Sequence, residues 1–287
     1  MIDNGIAGLI LIAINVLGSY KGFKDGTFFD TYKFQVDKIL IGKEYKRLLS
    51  SGFLHVDWTH LLFNMVSLYA FTGLIELQFG WSSLLIIYFG SLIGGGLLAL
   101  YIHRHHGDYS AVGASGAVCG VIFTSIALFP GMVIGFFGLP IYIPSWLYGI
   151  FFVLFSIYGI KSKRDNIGHE AHLGGALIGM LIGIALQPSS LSVNYLPILL
   201  VLIPALIFIY LIITKPHVLL LGVRSFAQEK RYHSIDDKYN DQRVSKQKEV
   251  DLLLEKISKQ GVKSLNAREK KILEEYSRSG GSPGTNS

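Results

Sequence analysis

The sequence predicts an all-α membrane protein in which a bundle of apolar helices crosses the bilayer several times. The mean hydropathy of the 287-residue chain is +0.44, only 16% of its residues are charged, and apolar segments near 20 residues recur along it. Soluble domains carry about 25% charged residues, and a helix needs about 20 apolar residues to span a bilayer. The low charge therefore favours a polytopic membrane helix bundle whose helices face lipid as well as one another.

Seven apolar segments are suited to such helices. Their approximate bounds are 5–20, 57–74, 81–102, 112–129, 144–160, 170–186 and 196–214. We predict one transmembrane domain over residues 1–214. No basic residue precedes the first segment, which therefore lacks the charged head of a cleaved signal peptide and is expected to remain as a helix.

The connections between the helices have distinct compositions. Residues 21–56 combine aromatic side chains with seven Lys or Arg, a mixture typical of a segment that lies on the membrane surface. The connection after the fourth segment contains Pro130, Pro140 and Pro144 with several glycines, which argues against a continuous helix there.

A charged tail follows the last apolar segment, over residues 215–287. It carries fifteen Lys or Arg and ten Asp or Glu, so it holds most of the net charge of +6. Apolar residues recur in it at helical spacing, at Val250, Leu253, Leu254 and Ile257. We predict a helical hairpin over about 245–277 and a disordered end. Because acidic residues are interleaved, anionic lipid headgroups or solubility explain the charge better than nucleic-acid binding, and the tail's partner stays open.

The basic residues outside the tail lie on one side of the predicted bundle. Every Lys and Arg falls after the first, third, fifth or seventh apolar segment, and the other connections have none. Taken alone, the positive-inside rule places these odd-numbered connections and the tail in the cytoplasm.

One apolar segment begins with an unusual cluster of small residues. Ser115 is framed by Gly113 and Gly116, and Gly120 follows one turn later. Gly116 and Gly120 form a small-xxx-small pair that permits close helix packing. The same lack of bulk leaves the hydroxyl of Ser115 accessible as a nucleophile, so packing and catalysis are both open interpretations of these residues.

Two other segments carry polar residues near their starts. His60 and Asn64 are four residues apart and share a helical face. Polar groups in a membrane helix need partners or a function, so an interhelical hydrogen bond for Asn64 and an interfacial position for His60 are the structural alternatives. His172 is followed by Gly175 and Gly179, a second small ridge.

No metal or other cofactor is predicted. His169 and His172 lie one residue too close for the zinc motif HExxH, in which the histidines are four apart. The histidines at 103, 105 and 106 are interpreted as a solvated loop. A single cysteine, Cys119, excludes an internal disulfide and a site built from several cysteines.

These polar residues are expected at similar depths in the membrane. Ser115, His172 and Asn64 each follow an odd-numbered connection by a few residues, so all three are expected within roughly 5–12 Å of one membrane face. The two glycine ridges would let their helices cross closely enough for a Ser–His hydrogen bond. This combination favours a nucleophilic serine site over packing alone.

These residues resemble the signature motifs of rhomboid intramembrane serine proteases. The motifs are GASG at 113–116, His60-x-x-x-Asn64, and His172-x-x-Gly175-x-x-x-Gly179, in the family's order. The resemblance covers about residues 5–214, and Arg47 and Glu76 are similar to structural residues of the family. It implies a rhomboid-like core of six helices over about 5–186 with one helix added at 196–214, making seven transmembrane helices. The tail hairpin is similar to an accessory segment of some bacterial members, which implies a multi-pass protein of a bacterial cell membrane.

The resemblance also implies a reaction. Ser115 would be the nucleophile and His172 the general base of a dyad without a third carboxylate. The oxyanion would be held by the Asn64 amide, the His60 side chain and the backbone N–H of Ser115. Substrates would be transmembrane helices of other proteins, cleaved within the lipid bilayer without a metal or cofactor.

Two features depart from the family pattern. Cys119 stands where members usually have an aromatic residue near the histidine. Family topology also puts the odd-numbered connections outside the cytoplasm, against the charge distribution, and we favour the family orientation. The alternatives are an inactive relative that binds or escorts membrane helices, which would usually lack the serine or histidine, and a small transporter, which would need mid-bilayer charges and internal repeats.

Overall fold

The computed structural model describes residues 5–135, 142–162 and 167–214, together with Leu253 and Ile257. The helices in these ranges are α1 Ile6–Lys24, α2 Gly26–Tyr32, α3 Val36–Leu40, α4 Arg47–Ser50, α5 Trp58–Ile102, α6 Ser115–Leu128, α7 Ser145–Ser162, α8 His169–Leu186, α9 Ser190–Val193 and α10 Tyr195–Thr214. The strands are β1 Phe34–Gln35, β2 Ser110–Ala111, β3 Val133–Gly135 and β4 Tyr142–Pro144. A 3₁₀ turn spans Ser51–Phe53.

The chain divides into two compact units, Met1–Val223 and Arg224–Ser287. In the second unit Leu253 and Ile257 are helical. The rest of the predicted hairpin over about 245–277, and the predicted disordered end, lie outside the described residues. The domain boundary near residue 214 stays a prediction.

The prediction of a helical membrane bundle is confirmed. Among the described residues, five helices are long and apolar enough to cross a membrane: α1, α5, α7, α8 and α10. The 45-residue α5 contains both the second and the third predicted segments, with a break at Gly80, whose φ of 80° and ψ of 164° suit glycine. The fourth predicted segment is the shorter helix α6 of 14 residues. The count of seven crossings stays a prediction.

The all-α prediction omits two small antiparallel sheets. Strand β1 pairs with β2, with Phe34 opposite Ala111 and Gln35 opposite Ser110, and β3 pairs with β4. These strands have two or three residues each, too few for the alternation that identifies a strand in sequence. The β1–β2 pair connects the basic segment 21–56 to the residues that lead into α6.

Helix α6 is at the centre of the bundle. Every residue from Gly116 to Leu128 is buried, and α6 packs most extensively against α8 and α5. The outer helices α1, α7 and α10 instead leave many large apolar side chains exposed, as lipid contact requires. The hydrophobic core therefore surrounds the helix that begins at Ser115.

Close packing of α6 against α8 depends on glycines. A Cβ atom on Gly175 would collide with the carbonyl oxygen of Gly116, and one on Gly179 would collide with the backbone of Gly120. The Thr124 hydroxyl donates a hydrogen bond of 2.6 Å to the Gly179 carbonyl oxygen in the same interface. The two backbones approach as closely as small-residue ridges allow.

Charged side chains fix the surrounding elements. Glu76 accepts hydrogen bonds from the backbone N–H groups of Ala7 (2.9 Å) and Gly8 (3.0 Å), which satisfies free donors at the start of α1. The guanidinium of Arg47 donates to the carbonyl oxygens of Asp30 and Lys33, both at 2.8 Å. Each residue attaches one element to another, a structural role that agrees with the resemblance.

Candidate active site

Ser115 is placed by a turn that only glycine accommodates. Gly113 has φ of 135°, a backbone conformation that L side chains rarely adopt. A Cβ atom there would also lie 2.8 Å from His60 Cε1. The Gly113 N–H donates to the Ser51 carbonyl oxygen at 3.0 Å, which fixes the turn. Two residues later Ser115 begins α6, half-buried, while the residues after it are enclosed.

The structure brings His172 to Ser115. His172 Nε2 lies 2.6 Å from Ser115 Oγ, within hydrogen-bond distance. His172 is in the first turn of α8 and is also half-buried. The helices meet closely here because Gly116 lacks a side chain: a Cβ atom on it would be 3.1 Å from the Ala171 carbonyl oxygen. An imidazole nitrogen at this distance can accept the proton of a nucleophilic hydroxyl.

His60 and Asn64 lie on one face of α5, at the same end of the bundle. Asn64 is buried and donates from Nδ2 to the His60 carbonyl oxygen at 2.9 Å, which leaves its second amide N–H for another acceptor. The His60 ring lies against Gly113. Within the described part of the chain His60 Nδ1 is buried without a hydrogen-bond partner. An unpaired acceptor costs less than an unpaired donor, so this favours hydrogen on Nε2.

An aromatic ring from another helix lies near His172. The Phe152 ring of α7 is centred 6.2 Å from the His172 imidazole, at an interplanar angle of 34°. Cys119, one turn into α6, is buried in the hydrophobic cluster against which Phe152 packs. The family pattern places an aromatic residue at position 119. The ring near His172 comes instead from Phe152 on α7, and nothing in the sequence around residue 119 indicates it.

His55 is a residue that the sequence analysis missed. It is 1% exposed, and its Nε2 accepts a hydrogen bond from the Ala114 N–H at 3.4 Å. The proton of the neutral ring is then on Nδ1, which lies 2.8 Å from Ser19 Oγ. Ser19 Oγ in turn donates to the Phe53 carbonyl oxygen at 3.1 Å. These bonds connect α1 to the residue directly before Ser115. In sequence, His55 has no periodic or motif signal to distinguish it from a surface histidine.

Folding stability is expected to fall below pH 6.5 in a way that depends on His55. Burial, aided by the nearby His60, lowers the pKa of His55 to about 3, whereas an unfolded histidine titrates near 6.5. Between these values the unfolded chain binds a proton that the folded chain excludes, so this contribution to stability is complete above pH 6.5 and is lost as the pH falls towards 3. Thermal unfolding in detergent between pH 4 and 8 measures it.

The matched variants are His55→Gln and the exposed His105→Gln. His55→Gln should be less stable at pH 8, because the hydrogen bond to Ala114 is weakened. On acidification its free energy of unfolding should fall less steeply with pH, by a slope that corresponds to at most about one bound proton. His105→Gln should follow the wild type. Equal pH slopes in wild type and His55→Gln would contradict this account of His55.

The interpretation of the three-histidine cluster as solvated is wrong for His103. His103 Nε2 lies 3.0 Å from Glu170 Oε1, and its ring stacks on Tyr109 with centroids 3.5 Å apart. Glu170 is two residues before His172, so this contact fixes the start of α8 to the end of α5. Among the described residues, no group of three His, Cys, Asp or Glu could hold a metal ion.

Comparison with known proteins agrees with the sequence motifs. The Rhomboid domain family matches residues 42–189, which is more than half of the chain and includes Ser115 and His172. A second family, described only as of unknown function, matches residues 233–279 in the tail.

Several relatives bear rhomboid names. RHOMBOID-like protein 12, mitochondrial, of Arabidopsis thaliana is 28% identical over 61% of this chain and 56% of that protein. Rhomboid protein 1, mitochondrial, of Saccharomyces cerevisiae is 28% identical over 63% of this chain and 52% of that protein. Rhomboid protease AarA of Providencia stuartii is 32% identical over 65% of this chain and 73% of that protein.

The chain spans about half the length of the two mitochondrial relatives. The family match, the relative at 32% identity and the apolar helices lead to one conclusion. This chain is a multi-pass membrane protein of the rhomboid family.

Proposed function

We propose that the chain is an intramembrane serine endopeptidase that uses Ser115 and His172 as a catalytic dyad. The observation that carries this proposal is the 2.6 Å separation of His172 Nε2 and Ser115 Oγ at the half-buried starts of two closely packed helices. Helices α6 and α8 could pack against each other without bringing a serine and a histidine within hydrogen-bond distance. Their hydrogen-bond distance supports a nucleophile and base acting together.

In the proposed reaction, Ser115 Oγ attacks the scissile carbonyl carbon while its proton moves to His172 Nε2. The tetrahedral intermediate breaks its C–N bond, and the leaving amine takes that proton, so an acyl-enzyme ester remains on Ser115. A water molecule then gives a proton to His172 and attacks the ester carbonyl. Return of the proton to Ser115 Oγ releases the carboxylic acid product and restores the dyad.

The negative oxygen of the tetrahedral intermediate requires hydrogen-bond donors. Ser115 is the first residue of α6, where backbone N–H groups have no partner within the helix. The free amide hydrogen of Asn64 and the Nε2 of His60 are the other proposed donors. Donors fixed in place before the reaction stabilise developing charge without reorganisation.

The proposed substrates are transmembrane segments of other membrane proteins. A helix in lipid has all its backbone groups paired internally, and an opened segment needs water or protein partners. We propose that the substrate unwinds beside the starts of α6 and α8, where Ser115 and His172 lie.

The proposed topology has seven crossings of a bacterial cell membrane, with α5 counted as two crossings divided at Gly80 and α6 counted as one. The odd-numbered connections are placed outside the cytoplasm, and the tail is proposed as an accessory region.

A labelling experiment tests the dyad. The purified full chain in detergent is treated with a fluorophosphonate probe, which phosphorylates an activated serine, and is incubated separately with a transmembrane substrate. Wild type should be labelled at Ser115 and should cleave the substrate, whereas Ser115→Ala should do neither. Cleavage by Ser115→Ala at the wild-type rate would exclude the mechanism. Substrate that copurifies with an unlabelled, inactive wild type would indicate a helix-binding relative instead.

Asn64→Ala tests the proposed oxyanion site. Removing one such donor commonly lowers kcat by about 10²–10³-fold, and we expect the loss in kcat with little change in KM. The steady-state rate on a transmembrane substrate measures this. Gln78→Ala removes an exposed amide from the same helix and should leave kcat unchanged. A fall in thermal stability of Asn64→Ala large enough to explain the rate would instead make Asn64 a structural residue.

A further inference from the structure

The segment of residues 21–56, from the end of α1 to the start of α5, carries seven Lys or Arg and four Asp or Glu, a net charge of +3. Two of its seven cations are paired in the structure, Lys33 with Asp30 at 2.7 Å and Arg47 with Glu44 at 2.8 Å. The other five form no ion pair within the described part of the chain, and all are exposed. They are Lys21, Lys24, Lys38, Lys43 and Lys46.

Two of these lysines belong to a continuous row with aromatic rings. Lys21 Nζ lies 4.4 Å from the centre of the Phe28 ring, and the Phe28 and Tyr32 ring centroids are 4.6 Å apart. Lys46 Nζ lies 5.8 Å from the centre of the Tyr32 ring. Cations over aromatic faces combine positive charge with apolar area, a combination suited to the boundary between headgroups and acyl chains.

A groove lies along other residues of α2. It has a volume of about 680 Å³. Its lining residues are Gly26, Thr27, Asp30, Thr31, Lys33, Gln35, Lys38 and Arg47. The exposed Lys38 lines it together with two threonine side chains. Hydroxyls and an ammonium group are donors that a phosphate accepts.

We propose that this basic–aromatic surface, made of the groove and the row from Lys21 to Lys46, binds the phosphate headgroups of anionic phospholipids. Its position favours lipid over another partner, because α2 follows α1 after Asp25 alone and the segment leads into α5, both candidate membrane-spanning helices. The aromatic rings have an apolar layer to enter at that position. Binding of an acidic protein segment would use the positive charge of the lysines but would not require the aromatic rings.

The surface is mechanically connected to the serine. Strand β1 follows α2 almost directly and pairs with β2, which is four residues before Ser115. Arg47 fixes the end of α2 to the same region through the Asp30 and Lys33 carbonyl oxygens. A lipid bound at the surface therefore contacts elements that position the entry to α6.

The test measures lipid binding to the full chain. Protein in neutral detergent is titrated with short-chain phosphatidylglycerol or phosphatidylcholine, and bound lipids are counted by native mass spectrometry. The test variant is Lys38→Gln/Lys46→Gln. The control, Arg104→Gln/Lys161→Gln, removes two exposed charges, one just after α5 and one in the last turn of α7. The tail is unchanged in both, so its lipid binding cancels in the comparison.

Each basic residue near a membrane surface contributes about 5-fold to anionic lipid binding. We therefore expect the test variant, which loses two lysines, to raise the Kd for phosphatidylglycerol about 25-fold relative to the control, with phosphatidylcholine binding unchanged. Equal phosphatidylglycerol binding by both variants would overturn the proposal, as would equal affinity of the wild type for both lipids. Displacement of phosphatidylglycerol by a glutamate-rich peptide at lower concentration would assign the surface to a protein partner.

Discussion

Replacement of His172 by alanine is expected to reduce cleavage of a transmembrane substrate by a factor on the order of 10⁶. Without the imidazole at 2.6 Å, Ser115 Oγ keeps its proton at neutral pH and is a poor nucleophile. The leaving amine also loses its proton donor, so neither half of the reaction proceeds efficiently. Single-turnover cleavage in detergent at pH 7.5, with enzyme in excess, measures the remaining rate.

The control for this variant is His105→Ala, which removes an exposed histidine near the same end of the bundle. It should cleave at the wild-type rate. Both variants should unfold near the wild-type temperature, because His172 is only half-buried. A His172→Ala protein that keeps more than about one hundredth of the wild-type rate would show that another group acts as the base.

Gly175→Ala is expected to lower the free energy of unfolding by about 3 kcal/mol or more. The added methyl group would meet the carbonyl oxygen and carbon of Gly116, which are backbone atoms that cannot rotate away. Helices α6 and α8 would have to separate, and that separation would also break the contact between Ser115 and His172. Thermal unfolding and the rate of fluorophosphonate labelling should therefore fall together.

Gly73→Ala is the matched control, because it makes the same substitution on a helix where nothing lies within 4 Å of the added atom. Alanine is favoured over glycine in a helix by about 1 kcal/mol, so this variant should be as stable as the wild type or slightly more. If Gly175→Ala behaved like Gly73→Ala, the close approach of the two helices would be wrong.

Most of the bundle could be predicted because it depends on hydrophobicity, which is local in sequence. The bounds of α7, α8 and α10 differ from those expected by one or two residues. Helix α1 continues to Lys24, four residues past the predicted end at residue 20, because a helix can extend past the apolar layer and hydropathy does not detect such an end. The paired motifs likewise made Ser115 and His172 candidates, since each motif is contiguous.

The features that were not predicted depend on contacts between residues that are far apart in sequence. His55 is joined to Ser19 and Ala114, which are 36 and 59 residues away, and Phe152 reaches His172 from a separate helix. The β1–β2 pair joins residues about 75 positions apart. Neither composition nor periodicity encodes such pairings in a single sequence. The residues that support the candidate site were therefore harder to predict than the proposed catalytic residues.

The shortness of α6 affects the depth at which its ends can lie in the membrane. Its 14 residues give a length of about 21 Å, which is about 9 Å less than the hydrocarbon layer of a typical bilayer. Such a helix cannot have both ends at the two surfaces of that layer. Because protein encloses its residues from Gly116 to Leu128, the lipid need not thin to match it. At least one end of α6 therefore lies below a surface of that layer, where protein rather than lipid surrounds it.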